Sequence, residues 1–301
     1  MMGFKSVALL IVFCALSLQT SAQLKGTLKD SATNEPIPYV NIWVENEMVG
    51  TSANERGEFL LAHKVAGNVI VFSAIGYKTK RANAANIGDV ILLKPEPIHL
   101  EEVVVRSEKR NQQRIVDELK KNKISFFYGC FGTPWMVGRF FSFRPEYEQT
   151  PILKSVAIHT TSDKSAVFNV RLYTKNESGI PEVPIYNDNI LVRVKKGTHI
   201  TAIDLSDKNI VFPASGLLVA AEFLILDQNK SVFEYSIKGK PEKLSGMRYK
   251  PSFGTLPRDT GEDGWLYTKG KWSNVIRNSG KIVDDYRNKY AVPAISLTLS
   301  N

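Results

Sequence analysis

Between Leu24 and Leu93 hydrophobic and polar positions alternate in short runs divided by turn residues. Val40, Ile42 and Val44 fall on one face of a strand, with Tyr39, Asn41 and Trp43 on the other, the period of a half-buried strand. The preceding run Asp30 to Pro36 is a cluster of turn formers, whose Asp and Asn side chains bond nearby backbone. Further turns fall at Val49-Gly50-Thr51 and at Asn54 to Gly57, where Gly supplies a positive φ. Glu58 to Leu61 follows as a strand. Val69 to Ala74 is an apolar run too short for a helix, so it predicts a core strand, broken by Ile75-Gly76-Tyr77. Val90 to Leu93 is the last strand of this unit. No helical periodicity occurs in it, and several short strands with regular turns predict a β-sandwich.

From Ile124 the pattern is again strand-like. Val156 and Ile158 alternate with Ser155 and Ala157. Phe168, Val170 and Leu172 share a face, with Asn169, Arg171 and Tyr173 opposite. Runs at 190–194, 200–205 and 210–212 follow. Leu217 to Ile225 is nearly all apolar, interrupted by Glu222 alone, and reads as a buried strand with a short helix as the rival. Strands of this length and spacing predict a second, larger sandwich of jelly-roll type. Between the two units, Ile115, Val116 and Leu119 stand at helical spacing in a polar stretch. Ser107 is a candidate cap there, Asp117 and Lys121 a candidate i,i+4 pair, and Glu118 and Lys121 an i,i+3 pair. A short helical connector over 106–124 is the expectation.

The order Gly26, Asp30, Pro36-Ile37-Pro38, Val40, Ile42, Gly50-Thr51, Asn54, Gly57, Phe59, Phe72-Ser73 and Ile75-Gly76-Tyr77 resembles the carboxypeptidase regulatory-like domain. That resemblance implies a prealbumin-like sandwich of about seven strands. It is similar in particular to the copies at the N-termini of TonB-dependent outer-membrane receptors, where a Leu-x-Glu-Val-Val-Val run follows the domain. Leu100-Glu-Glu-Val-Val-Val105 resembles that run. Asn54 stands where the family often has Asp. No plug or barrel pattern comes after Val105, so the resemblance implies fold and compartment and not transport. The second half resembles, on strand pattern alone, the accessory sandwich domains of secreted bacterial proteins, some of which bind carbohydrate.

Met1 to Ala22 has an early Lys5, an apolar core from Val7 to Leu18, and Thr20-Ser21-Ala22 before Gln23. That is a cleavable secretory signal, with an apolar core short for a membrane span. Cys14 does not make a lipoprotein signal, because the bulky Phe13 precedes it. The expected organisation is a signal peptide over 1–22, a regulatory-like sandwich over 23–105, the connector over 106–124, and a second sandwich over 125–301. The chain is long enough for two ordinary cores.

The formal net charge is +9. Lys and Arg are spread along the chain, densest over 106–123, and read as a solvated surface. An exported protein without a recognisable binding module is not expected to take nucleic acid. No later stretch is apolar enough to span a bilayer as a helix, and the later strands lack the long alternation of a transmembrane barrel. The cysteines are Cys14 and Cys130. Loss of the leader leaves Cys130 alone, with no intramolecular disulfide, and its aromatic neighbours Phe126, Phe127, Tyr128 and Phe131 mark it as a buried hydrophobe.

No catalytic constellation stands out. His63, His99, His159 and His199 lack metal-ligand spacing, and no nucleophile elbow, P-loop or dinucleotide fingerprint occurs. No cofactor is expected. Asp259, Glu262 and Asp263 are a candidate calcium loop, although they lack the regular ligand alternation of a calcium motif and read better as a solvated turn. Trp265, Tyr267 and Trp272 are the candidate ligand-binding residues, since flat aromatic faces stack on sugars or partner side chains; ordinary core packing is the competing reading.

These observations predict a non-catalytic exported envelope protein, periplasmic or outer-membrane-associated, with the cell surface as a further location. It would be a binding or docking module for a polysaccharide, a peptide or an outer-membrane protein. The alternatives are a glycan-active hydrolase with carboxylates from separate strands, and an accessory subunit of an outer-membrane assembly that offers a free sheet edge.

Overall fold

The computed structural model describes residues 23–63, 65–96, 112–120, 124–237, 243–278 and 283–301. The expected signal peptide, the receptor-like run at 100–105 and positions 106–111 and 121–123 of the expected connector lie outside these residues.

Among the described residues the first unit has seven strands: β1 (Leu24–Asp30), β2 (Asn41–Val44), β3 (Gly50–Ser52), β4 (Glu58–Leu61), β5 (Val69–Ser73), β6 (Lys80–Asn83) and β7 (Val90–Leu93). They form a sheet of order β4-β1-β7, in which β1 and β7 are parallel, and a sheet of order β3-β2-β5-β6. Leu28, Val40, Ile42, Ile70, Phe72 and Leu93 are fully buried between the two sheets, as the alternation requires. The turns are closed by the predicted side chains. Asp30 Oδ1 accepts from the Ala32 N–H at 2.6 Å and the Thr33 N–H at 3.2 Å. Asn54 Oδ1 accepts from the Arg56 and Glu58 N–H groups at 2.8 and 3.0 Å. Gly57 ends that turn at φ +72, and a Cβ there would stand 2.6 Å from the Leu28 carbonyl oxygen, so the position requires glycine.

The second unit is a larger sandwich. Its strands are β8 (Gln113–Val116), β9 (Phe127–Cys130), β10 (Met136–Phe141), β11 (Ile152–Ser162), β12 (Ala166–Thr174), β13 (Val183–Pro184), β14 (Ile190–Val194), β15 (Gly197–Asp204), β16 (Leu217–Phe223), β17 (Lys230–Ser236), β18 (Lys243–Arg258), β19 (Gly264–Thr268), β20 (Lys271–Asn274), β21 (Tyr290–Pro293) and β22 (Ile295–Ser300). One sheet runs β13-β12-β16-β10-β19-β20, with β14 also on β12. The other runs β17-β18-β11-β22-β8, with β15 on β11 and with β9 and β21 on β18. Their inner faces share one core, in which Phe168 and Phe223 of the first sheet meet Phe253 of the second at ring-centroid distances of 5.0 and 4.6 Å. The chain is therefore all-β, two sandwiches in series. Among the described residues no helix is long and apolar enough to cross a membrane.

The expected helical connector is corrected. Gln113–Val116 is a strand, antiparallel to β22, with Val116 opposite Leu297. Ile115 and Val116 do not share a helix face: Ile115 is exposed and Val116 is buried in the larger core. Tertiary pairing to a free sheet edge outweighed a weak local helical pattern. Asp117, expected to pair with Lys121, instead accepts from the buried guanidinium of Arg139.

Candidate functional site

The period-2 alternation of β12 sends Phe168, Val170 and Leu172 into the core and Asn169, Arg171 and Tyr173 to the outer face of its sheet. The register builds that face in rows. Asn169 lies opposite Glu222 of β16, Glu222 opposite Met136 of β10, Met136 opposite Tyr267 of β19, and Tyr267 opposite Trp272 of β20. Arg171 stands in the next row with Ala220, Gly138 and Trp265.

This outer face is not left to solvent. The sheet β3-β2-β5-β6 of the first sandwich turns its own outer face toward it. Tyr39 joins an apolar seam with Val167, Leu224 and Leu226. The Ser52 N–H donates to the Ile225 carbonyl at 3.3 Å, and the Ile225 N–H donates to Ser52 Oγ at 2.9 Å. The Gly50 N–H donates to the Gly132 carbonyl at 3.0 Å, and Lys269 Nζ donates to the Asn46 carbonyl at 2.9 Å. Gly50 is a close approach, since a Cβ there would stand 2.5 Å from Pro134 Cδ.

Where the faces do not touch they leave a cleft of two lobes, about 400 and 380 Å³. Both lobes are lined by the Ala74 to Tyr77 turn, Glu96 and Arg171. The larger also has Trp43 on one side and Tyr173, Tyr267 and Trp272 on the other. The last three form a cluster, Trp272 being 5.1 Å from Tyr267 and 5.5 Å from Tyr173 between ring centroids. Burial and the charge of Glu222 push the Tyr267 hydroxyl up to about 12, and burial also raises Tyr173.

An ion pair forms the floor. Arg171 Nε donates to Glu222 Oε2 at 2.8 Å, and each side chain is only 4% exposed. Glu222 Oε1 accepts from Asn41 Nδ2 of the first sandwich at 2.5 Å. Both carboxylate oxygens are thus engaged, while among the described residues the buried Arg171 Nη1 has no hydrogen-bond partner. A buried donor of that kind costs free energy until an acceptor reaches it.

Of the residues singled out in the sequence, Tyr267 and Trp272 line the cleft and Trp265 does not. Trp265 is 8% exposed and packs with Met136, Phe140 and Leu218 on the same sheet face, so core packing holds for it. Asp259, Glu262 and Asp263 do not assemble: Asp259 pairs with Lys289 at 3.7 Å, and among the described residues no group of three His, Cys, Asp or Glu side chains is placed to hold a metal. Cys130 is buried, its Sγ contacts the Thr133 carbonyl oxygen at 3.3 Å, and burial pushes its thiol up to about 11. Asn41, Trp43, Arg171, Tyr173 and Glu222 were not candidates from sequence. The one signal that pointed to them was Glu222, a lone charge in an apolar strand.

No curated protein matches the chain in sequence. Among solved structures, the infectious bursal disease virus Gx strain aligns at 11% identity over 93% of this chain and 60% of that one, with a TM-score of 0.21. T=1 particles derived from infectious bursal virus align at 9% identity over 88% and 55%, with a TM-score of 0.20. The chain thus spans less than two thirds of either structure, and at these TM-scores the overlap does not define a shared fold. A family model, by contrast, matches residues 24–105. That match, with the seven strands and the Asn54 to Gly57 turn, makes the N-terminal sandwich a CarboxypepD_reg-like domain.

Proposed function

We propose that this is an exported, non-catalytic binding module of the cell envelope, and that its ligand sits in the cleft between the two sandwiches. The observation that carries this reading is the buried Arg171–Glu222 pair, whose Nη1 donor has no acceptor among the described residues, beside the aromatic side chains of Tyr267 and Trp272. Pockets that bind small ligands are concave, largely aromatic or apolar, and hold a few placed polar groups. Both lobes fall in their usual size range of about 300–1,000 Å³. Binding is preferred to hydrolysis because a glycosidase needs one carboxylic acid and one free carboxylate. Here Glu222, the one buried carboxylate among the described lining residues, has both oxygens engaged, while Glu96, Glu182 and Asp188 are exposed at the rim. Export and envelope residence rest on the leader-like first 22 residues and on the company that CarboxypepD_reg-like domains keep in outer-membrane receptors.

The test is a binding screen of the protein against envelope and dietary polysaccharides, with a pull-down from envelope extract, repeated with Trp272→Ala. Binding that is lost in the folded variant supports the cleft as the site. Polysaccharides recovered shortened overturn the non-catalytic reading. A partner retained equally by the variant moves the function to another surface.

A further inference from the structure

Taking the cleft as the binding site proposed above, we infer that its ligand is an uncharged sugar. One hydroxyl meets Nη1 of Arg171, and a ring face lies against the indole of Trp272.

Three observations select this class. First, the buried Nη1 of Arg171 is a donor with no acceptor among the described residues, so a ligand oxygen or another acceptor that reaches it gains a hydrogen bond. A plain alkylammonium has none. Second, among the described residues the lining carries the carboxylates of Glu96, Glu182, Asp188 and Glu222 against the guanidinium of Arg171, which Glu222 already balances. A uronate chain or another polyanion therefore meets like charge at the rim, where Glu96, Glu182 and Asp188 are exposed. These rim carboxylates are acceptors and call for donors. A hydroxyl both donates and accepts without adding charge, so a polyhydroxylated ring satisfies both ends. Third, Trp272 offers an apolar indole face, with the Tyr267 ring tilted 57° to it, in a cleft that is polar at its floor and rim. The C–H face of a pyranose fits such a wall while its hydroxyls reach the polar groups. Both lobes share Arg171, so adjoining rings of one short oligosaccharide fit on either lobe.

Isothermal titration of the protein with hexasaccharides of glucose (α-1,4 and β-1,4), mannose and N-acetylglucosamine tests this, beside oligogalacturonate and a lysine-rich hexapeptide. At least one neutral sugar is expected to bind at least tenfold more tightly than the galacturonate or the peptide. Trp272→Ala and Arg171→Lys are each expected to weaken it by about tenfold or more, the effect of losing one good contact or one hydrogen bond to a charged group. Trp272 is partly exposed, so its variant stays informative even where the buried Arg171→Lys fails to fold. Tightest binding to galacturonate or peptide, lost in Trp272→Ala, overturns the ligand class and leaves the cleft as the site. A sugar bound equally by the wild type and both folded variants overturns the cleft itself. No binding of any neutral sugar at millimolar concentration overturns the class as well.

Discussion

The Arg171–Glu222 pair gives the sharpest test of how the two sandwiches hold together. Replacing Glu222 by Leu leaves a guanidinium that is 4% exposed without its carboxylate, and it strips Asn41 Nδ2 of its acceptor across the interface. Removing one partner of a buried pair typically costs about 3–5 kcal/mol, because the other charge stays buried without compensation. Exposed pairs give about 0–1 kcal/mol, and the burial here leaves little solvent to screen the loss. Arg171→Leu should cost a similar amount by stranding Glu222 with only Asn41. The double variant should be far milder than the sum, since replacing a whole buried pair by apolar side chains is often neutral or stabilising. Asn41→Ala isolates the interdomain bond and should cost about 1–3 kcal/mol. The assay is urea unfolding followed by tryptophan fluorescence, in which Trp265 and Trp272 sit on the same sheet face as the pair. A double-mutant cycle then gives the coupling. Single losses below about 1 kcal/mol, or a double variant equal to the sum of the singles, would refute the reasoning and class the pair with surface ion pairs.

Three other predictions concern the frame around the cleft. Gly50→Ala places a methyl 2.5 Å from Pro134 Cδ and 2.6 Å from the Ile42 carbonyl oxygen, and should destabilise the protein by about 1–3 kcal/mol in the same unfolding assay. Cys130, with its thiol pushed up to about 11 and its side chain buried, should stay unlabelled by a thiol reagent at pH 8. Only about one thiol in a thousand is thiolate there, and labelling should become rapid once urea unfolds the chain. Asp30 is held below the ordinary carboxyl value of 3.8, first by the Ala32 N–H and also by the Tyr77 hydroxyl and the Thr33 N–H. Its folded-state value is lowered, so its stabilisation is full above 3.8 and is lost as pH falls through that lowered value. The stability gap between wild type and Asp30→Ala should therefore be wide near neutral pH and shrink in strong acid.

Much of the fold was legible because strand alternation is a local property. Val40, Ile42 and Val44 went inside as their parity required, and so did Phe168, Val170 and Leu172. The turn residues Asp30, Asn54 and Gly57 act through hydrogen bonds and φ values within a few positions of themselves, so sequence alone specified them. The connector was misread for the converse reason. Ile115 and Val116 carry a weak local signal, and the edge of β22, more than 180 positions away, determined their state.

The sequence by itself determined two all-β units in series, the CarboxypepD_reg-like character of the first, and the parity that puts Arg171 and Tyr173 on one side of their strand and Tyr267 with Trp265 on one side of theirs. Only the tertiary structure decided that these faces are neighbours, because the strand order β12-β16-β10-β19-β20 is a long-range pairing that no local window encodes. It also decided that Trp265 is packed away while Trp272 lines a cleft, and that the polar face of β12 is covered by the N-terminal sandwich. There Asn41 meets Glu222 across 181 positions of chain, and the charge that broke an apolar strand found its partners.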